Sequence, residues 1–259
     1  MDVSSLFGIS DKMALVTGGT AGIGEMIAEG LASAGAKVWI CGRKQEQLDA
    51  ATRALSKFGE VHAIRADVST DEGIAELVAQ LAPLGKLDIL VNNAGTSVEH
   101  PLGSFPRSSF ESVVDLNLTA PFMLTQALLP LLKASATPED PARVVNIASL
   151  VGMRAGSIPH FSYSSSKAGL LMLTEHLARA LAQDNISVNA VSPGYFPSKL
   201  TADSLSDPDF LAAVASPFLA RVGTPEDIAG AVIFFCSRAG AWNTGINIPV
   251  SGGRKVIDS

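Results

Sequence analysis

Apolar residues concentrate along this chain in short runs, separated by longer stretches in which they recur at helical spacing. The runs 13–16, 37–41, 61–64, 87–91, 143–149, 187–191 and 246–250 are short and bounded by turn-forming residues, the mark of strands buried on both faces. Between them, Met26, Ile27, Gly30 and Leu31 begin a helix, residues from about 46 to 58 predict another, and Asp67-Val68 follows the third run. A long helix is expected from Phe110 through Val113, Val114, Leu116, Leu118, Phe122, Leu128 and Leu132, broken only mildly at Pro121. Another carries Leu170, Leu171, Leu173, Leu177 and Leu181. The last opens at Thr224-Pro225-Glu226-Asp227, with an N-cap hydroxyl, a first-turn proline and acidic residues. Strands alternating with helices make an α/β chain. The two long helices are apolar around much of their circumference, so each is expected to bury more than one side.

The strand ends carry the candidate chemistry. After the first strand comes Thr17-Gly18-Gly19-Thr20-Ala21-Gly22-Ile23-Gly24. Glycines let a backbone turn tightly against a pyrophosphate, and the free N–H groups of a following helix stabilise its charge. The spacing, G-x-x-x-G-x-G, differs from the G-x-G-x-x-G of other dinucleotide sites. The second strand ends at Gly42-Arg43-Lys44. An acidic residue there would accept from an adenosine ribose, whereas Arg43 offers planar donors to a 2′-phosphate, with Lys44 or Thr20 as helpers. A solvated turn is the plainer account of the same pair. The 143–149 strand ends on Ser149, and Tyr163-Ser164-Ser165-Ser166-Lys167 opens the helix after it. Positions four apart share a helical face, so the Lys167 ammonium is expected beside the Tyr163 phenol and to lower its pKa from about 10. Taken alone, such a pair is equally a solvated surface contact.

Composition narrows the classes. The chain has 259 residues, 47% of them hydrophobic, enough for one large core. A formal net charge of −6 argues against nucleic-acid or anionic-membrane binding, while leaving room for a local phosphate pocket. The N-terminus lacks a basic, apolar leader pattern, and no run approaches the roughly 18 apolar residues of a membrane span, so a cytoplasmic protein is expected. Cys41 and Cys236 lack metal-ligand spacing and read as buried reduced thiols, and no metal site is expected.

These stretches together resemble the short-chain dehydrogenase/reductase family from end to end. Thr17-Gly18-x-x-x-Gly22-x-Gly24, Asn92-Asn93-Ala94-Gly95 after the fourth strand, Ser149, Tyr163-x-x-x-Lys167, Pro193-Gly194 and the closing Ser251-Gly252-Gly253 match the family's motifs. The resemblance implies a single-domain Rossmann fold, a doubly wound parallel sheet with helices on both faces, spanning residues 1–259. Its cofactor-binding half would cover about 10–150, and the catalytic helix, substrate loop and lid about 150–259. It also implies Asp67 and Val68 beside the adenine, Asn93, Ala94 and Gly95 along the adenosine, Pro193 and Gly194 against the nicotinamide, and Ser198 on its carboxamide. Asp67 could equally cap the next helix. NADP(H) is favoured over NAD(H) on Arg43, although Ala21 stands where NADP-using relatives often carry a basic residue. The family pairs its two long helices between subunits, so a homotetramer or homodimer is expected.

By the same resemblance, Ser149 and Tyr163 hold a substrate carbonyl, Tyr163 donates the proton, Lys167 holds the nicotinamide ribose, and Asn117 helps pass the proton onward. Leu150, Val151, Met153, Phe161 and an apolar lid over 199–219 favour a hydrophobic small-molecule carbonyl or alcohol. The Pro-Gly-x-Phe-Pro-Ser stretch at 193–198 and the polar, Pro-bounded loop 134–141 resemble the branch of rhamnolipid-type 3-oxoacyl reductases, pointing to a 3-oxoacyl thioester. An acidic carrier protein would want a basic rim, and the chain offers only Arg107, Arg154, Lys199 and Arg221. A dehydrogenase of free cyclic or aryl ketones or of polyols is the alternative. A cofactor-binding regulator without chemistry would lack Ser149, Tyr163 or Lys167.

Overall fold

The computed structural model describes residues 2–155, 159–198, 201, 206–209, 219 and 221–253. Lys199 and the lid positions Leu200, Leu205, Phe210, Leu211, Val214 and Phe218 lie outside them. The described elements run α1 (Val3–Phe7), β1 (Met13–Thr17), α2 (Gly22–Ser33), β2 (Lys37–Gly42), α3 (Gln45–Leu55), β3 (Val61–Arg65), α4 (Asp71–Leu81) and β4 (Ile89–Asn92). They continue with α5 (Arg107–Val114), α6 (Ala120–Ser135), β5 (Ala142–Ile147), α7 (Phe161–Leu181), β6 (Ile186–Pro193), α8 (Pro225–Cys236) and β7 (Asn247–Val250).

The strands form one seven-stranded sheet in the order β3-β2-β1-β4-β5-β6-β7, and every neighbouring pair is parallel. Side chains alternate across it, as strand geometry requires. Val16, Ile40, Val91 and Val145 face one core with Ile27 and Leu31 of α2, Leu48 of α3 and Val232 of α8. Leu15, Leu90 and Val144 face another with Leu77 of α4, Leu124 and Leu128 of α6 and Leu181 of α7. The chain winds away from β1 in both directions, so a crevice opens at the C-terminal ends of β1 and β4, where α/β sheets take ligands. On the first face α2 and α8 lie close enough that a Cβ on Gly30 would meet that of Ala229 at 2.3 Å.

The long helix expected through 110–132 is interrupted. A π-helical turn, Asp115–Thr119, separates α5 from α6, and Asn117 is buried within it at 0% exposure. Such turns accompany functional positions in helices. Pro121 lies in the first turn of α6, which continues directly from the π turn, so its missing N–H removes a bond at that junction. The helix expected to 58 ends at Leu55.

The 134–141 loop has a structural task that its polar composition did not reveal. Asp140 pairs with Lys12 and with Arg143. Arg143 is buried, and its Nε and NH2 donate to the carbonyls of Phe235 and Ser237 at 3.0 and 3.3 Å, satisfying acceptors at the end of α8. Burial lowers the Arg143 pKa, and the nearby Asp140 carboxylate opposes that. Cys41 and Cys236 are free and buried, and desolvation pushes both thiols up to about 12.

Candidate active site

The glycine loop turns at Gly18 and Gly22, whose φ angles are +65° and +57°, in the left-handed region that side-chain-bearing residues rarely adopt. Ala21, the N-cap of α2, gives its helix no side-chain cap, so the first-turn amides remain available to an anion. A Cβ on Gly24 would meet the Gly18 carbonyl oxygen at 2.3 Å, which holds the loop down on its helix. Ile23 is half-buried at that N-terminus. A Cβ on Gly22 would lie 3.1 Å from that of Ser198, so the loop after β6 reaches the glycine turn. Thr20 leans on Gly42, its Cγ2 being 3.3 Å from where a Cβ would stand. That brings Thr20 to the end of β2, beside the exposed Arg43 and Lys44. Arg43 NH1 is 3.8 Å from Asp67 Oδ2 across the ends of β2 and β3.

Asp67 does not cap α4. Its carboxylate accepts from Ser69 N at 3.0 Å and Ser69 Oγ at 2.6 Å, while Thr70 is the N-cap and accepts from Gly73 N. Val68 beside it is buried. The Asn92-Asn93-Ala94-Gly95 stretch is fastened by Thr17, whose place at the head of the glycine motif did not reveal this task. Thr17 Oγ1 accepts from Asn93 N and Ala94 N, both at 2.9 Å, and Asn93 Nδ2 donates to Thr17 O at 2.9 Å. Asn92 Nδ2 donates to Asn146 Oδ1 at 2.9 Å, and Asn146 Nδ2 to Thr174 Oγ1 at 2.9 Å. These buried amides tie β4 and β5 to α7. Only the asparagines' place at a strand end hinted at this in the sequence.

Ser149, Tyr163, Lys167 and Asn117 converge above β5. Ser149 precedes a single 3-10 turn, Leu150–Gly152, and its hydroxyl lies near enough to the Tyr163 phenol to act on its pKa. Lys167 is 4% exposed, and its Nζ donates to the Ile147 carbonyl at 2.7 Å. Desolvation lowers its pKa to about 8. Burial raises the pKa of Tyr163, with the Ser149 hydroxyl acting the other way. The expected lowering of the phenol by Lys167 is therefore not the prevailing effect. The Lys167 ammonium stands 5.8 Å from the Tyr163 ring centre and is directed to a main-chain oxygen.

Asn117 Oδ1 accepts from Thr96 N at 2.8 Å, and its Nδ2 donates to Thr96 O at 2.9 Å and to Ser166 Oγ at 3.1 Å. Ser166 Oγ in turn donates to the Tyr163 carbonyl at 2.7 Å. Gly95 leaves room between the two ends, since a Cβ there would lie 3.1 Å from Asn117 Oδ1 and 3.6 Å from Lys167 Nζ. Gly194 N donates to Val250 O at 2.8 Å and follows the buried Pro193. Ser198 hydrogen-bonds Thr201 through N and Oγ, both at 3.0 Å, a partner absent from the sequence reading. A family model described as short chain dehydrogenase matches residues 12–209.

The chain belongs to this family.

Among relatives of this short-chain dehydrogenase is the rhamnolipids biosynthesis 3-oxoacyl-[acyl-carrier-protein] reductase of Pseudomonas aeruginosa. It is 47% identical over 250 residues, covering 95% of this chain and 97% of the relative. The 3-oxoacyl-[acyl-carrier-protein] reductase FabG of Aquifex aeolicus is 37% identical over 249 residues, 95% and 98% of the two chains. A solved structure titled as the Pseudomonas aeruginosa RhlG/NADP active-site complex superposes with a TM-score of 0.93 at 44% identity, covering 97% of this chain and 99% of that one. Among the described residues of this short-chain dehydrogenase, no helix is long and apolar enough to cross a membrane.

Proposed function

We propose that this short-chain dehydrogenase reduces 3-oxoacyl thioesters with NADP(H). The observation that carries the chemistry is the gathering of Ser149, Tyr163 and the buried Lys167, whose Nζ is tied to Ile147 O, at the C-terminal edge of β5. The thioester and NADP(H) are supported by the two 3-oxoacyl reductases and the NADP complex among the relatives, and NADP(H) also by the exposed Arg43.

The uncapped turn into α2, with Gly18 and Gly22 at positive φ, fits a pyrophosphate. Arg43, helped by Thr20 or Lys44, would take the 2′-phosphate. Asp67, Val68, Asn93, Ala94 and Gly95 would line the adenosine, and Pro193, Gly194 and Ser198 the nicotinamide. The bound nicotinamide supplies hydride to the carbonyl carbon. Ser149 and Tyr163 donate hydrogen bonds to the carbonyl oxygen, where negative charge develops. Tyr163 then releases its phenolic proton to that oxygen, completing the alcohol. The Lys167 ammonium stabilises the phenolate left behind. Only one of its three hydrogens meets a protein acceptor among the described residues, which leaves donors for the ribose and for returning a proton.

The test follows NADPH oxidation optically with a 3-oxoacyl thioester, cyclic ketones and polyols. The Tyr163→Phe variant is expected to lose about 10²–10⁴-fold in turnover, the range for a general acid, while still binding NADPH. A near-normal rate would overturn the acid, and turnover of free ketones or polyols alone would overturn the thioester. The half-exposed Phe110, Phe122 and Met172 on α5, α6 and α7 support a homodimer or homotetramer, which light scattering would measure. A cytoplasmic, single-domain chain over residues 1–259 completes the reading.

A further inference from the structure

His160 stands three residues before Tyr163, at the N-cap position of α7, and the chemistry above does not use it. Its ring meets that of Tyr163 edge-on with centroids 6.0 Å apart, and its side chain is 21% exposed. Nδ1 lies 3.4 Å from Ser97 Oγ and 3.6 Å from Glu99 Oε1. Ser97 and Glu99 belong to the segment leaving β4, which Asn117 holds through both main-chain groups of Thr96. The imidazole is thus fixed from two sides, by α7 through its main chain and by the β4 segment through Nδ1.

The other ring nitrogen has no such partner. Among the described residues, Nε2 makes no hydrogen bond. In the tautomer in which the Ser97 hydroxyl donates to Nδ1, the imidazole proton is on Nε2. A second proton on Nδ1 would face the Glu99 carboxylate, and Nε2 would still donate. That tautomer leaves an N–H donor without a protein acceptor among the described residues, on a ring that meets the Tyr163 ring edge-on.

We infer that His160 is a specificity-determining residue whose Nε2–H takes the second carbonyl oxygen of a 1,3-dicarbonyl substrate, while the first sits on Ser149 and Tyr163. This deepens the proposed function and rests on its placement of the reacting carbonyl. A 3-oxoacyl group carries that second oxygen two carbons from the reacting one, and a simple ketone carries none. A site built to hydrogen-bond a substrate group discriminates against analogues that lack it. His160 remains partly open to water, which replaces a lost partner, so the discrimination is about tenfold.

The experiment compares kcat/KM for a free 3-oxo ester with that for a cyclic monoketone, alongside a 3-oxoacyl thioester. The His160→Asn variant keeps a polar atom near the Nδ1 position and removes the Nε2 donor, and is expected to lower the 3-oxo ester to monoketone ratio about tenfold. His160→Phe removes both nitrogens and is expected to do the same, which keeps the inference testable if one variant folds poorly. His160→Gln, whose amide N–H reaches toward the Nε2 position, is expected to recover most of the ratio. NADPH binding and thermal midpoint are measured on each variant. An unchanged ratio overturns the inference, as does a parallel fall for both substrates, the signature of a merely structural residue. If the unmodified enzyme turns over the 3-oxo ester and not the thioester, the thioester reading fails while the ratio still decides the role of His160.

Discussion

Lys167 Nζ stands 2.7 Å from the main-chain oxygen of Ile147, the last residue of β5, two positions before Ser149. One strand end therefore fixes both the ammonium and the hydroxyl that flank Tyr163. The cation occupies its place because it is tied to the sheet, and its burial is the cost of that tie.

That burial makes stability depend on pH in a defined direction. Desolvation brings Lys167 from 10.5 to about 8, so between those values the unfolded chain holds a proton that the native site has released. Stability from this group rises with pH across that window. With the side chain 4% exposed, the full swing is roughly 3 kcal/mol. Urea unfolding of the unmodified chain and of Lys167→Met at pH 7 and pH 10.5 is the check. Relative to the variant, the unmodified protein should gain stability at the higher pH, and a constant difference would refute the buried cation.

Arg43 is held by little. Its 3.8 Å approach to Asp67 joins side chains that are 69% and 36% exposed, and pairs of that kind contribute about 0–1 kcal/mol. The guanidinium is thus available to a 2′-phosphate, and a hydrogen bond to a charged group contributes about 1.5–3 kcal/mol. Arg43→Ala should raise KM for NADPH by about 10–100-fold while changing KM for NADH little. Equal effects on the two cofactors would remove Arg43 as the discriminating contact.

The sheet was legible because its strands are short, mainly apolar runs, and the ends of those runs put Gly18, Asn93, Ser149 and Gly194 on one edge. Residues whose importance lies in a partner distant in sequence were not legible. Thr17 is an ordinary strand-end threonine until β4 brings Asn93 and Ala94 to its hydroxyl. The π turn at Asn117 was not legible because the expected helix is apolar around much of its circumference, which hides a one-residue slip in phase. The Tyr163 phenol was misjudged for a related reason. A four-residue spacing places Lys167 on the same face, but it reveals neither the burial of the phenol nor the pull of the Ile147 carbonyl.

Thr17 offers a direct measure of that long-range fastening. Its 2% exposed side chain satisfies two main-chain amides, and an unsatisfied buried donor costs about 1–3 kcal/mol. Thr17→Val keeps the shape and removes the acceptor. It should lower unfolding free energy by about 1–3 kcal/mol and weaken NADPH binding, while Thr17→Ser should restore most of both. An unaffected Thr17→Val protein would mean that the Asn93-Ala94 turn is held by other contacts.

The chain of bonds from Thr96 through Asn117 and Ser166 to the Tyr163 carbonyl predicts energetic coupling between two side chains 49 residues apart. Asn117→Ala leaves both main-chain groups of Thr96 without their partner and removes the donor to Ser166 Oγ, whereas Ser166→Ala removes that acceptor from Asn117 together with the bond to the Tyr163 carbonyl. Residues sharing one hydrogen-bond network couple by about 0.5–3 kcal/mol. In a double-mutant cycle the Asn117–Ser166 pair should fall near the lower end, about 1 kcal/mol, in unfolding free energy. Because Ser166 anchors the main chain of Tyr163, the same cycle measured on kcat should also be non-additive. Additive losses in both would show that Asn117 and Ser166 act independently, and that the π turn holds only the β4 segment.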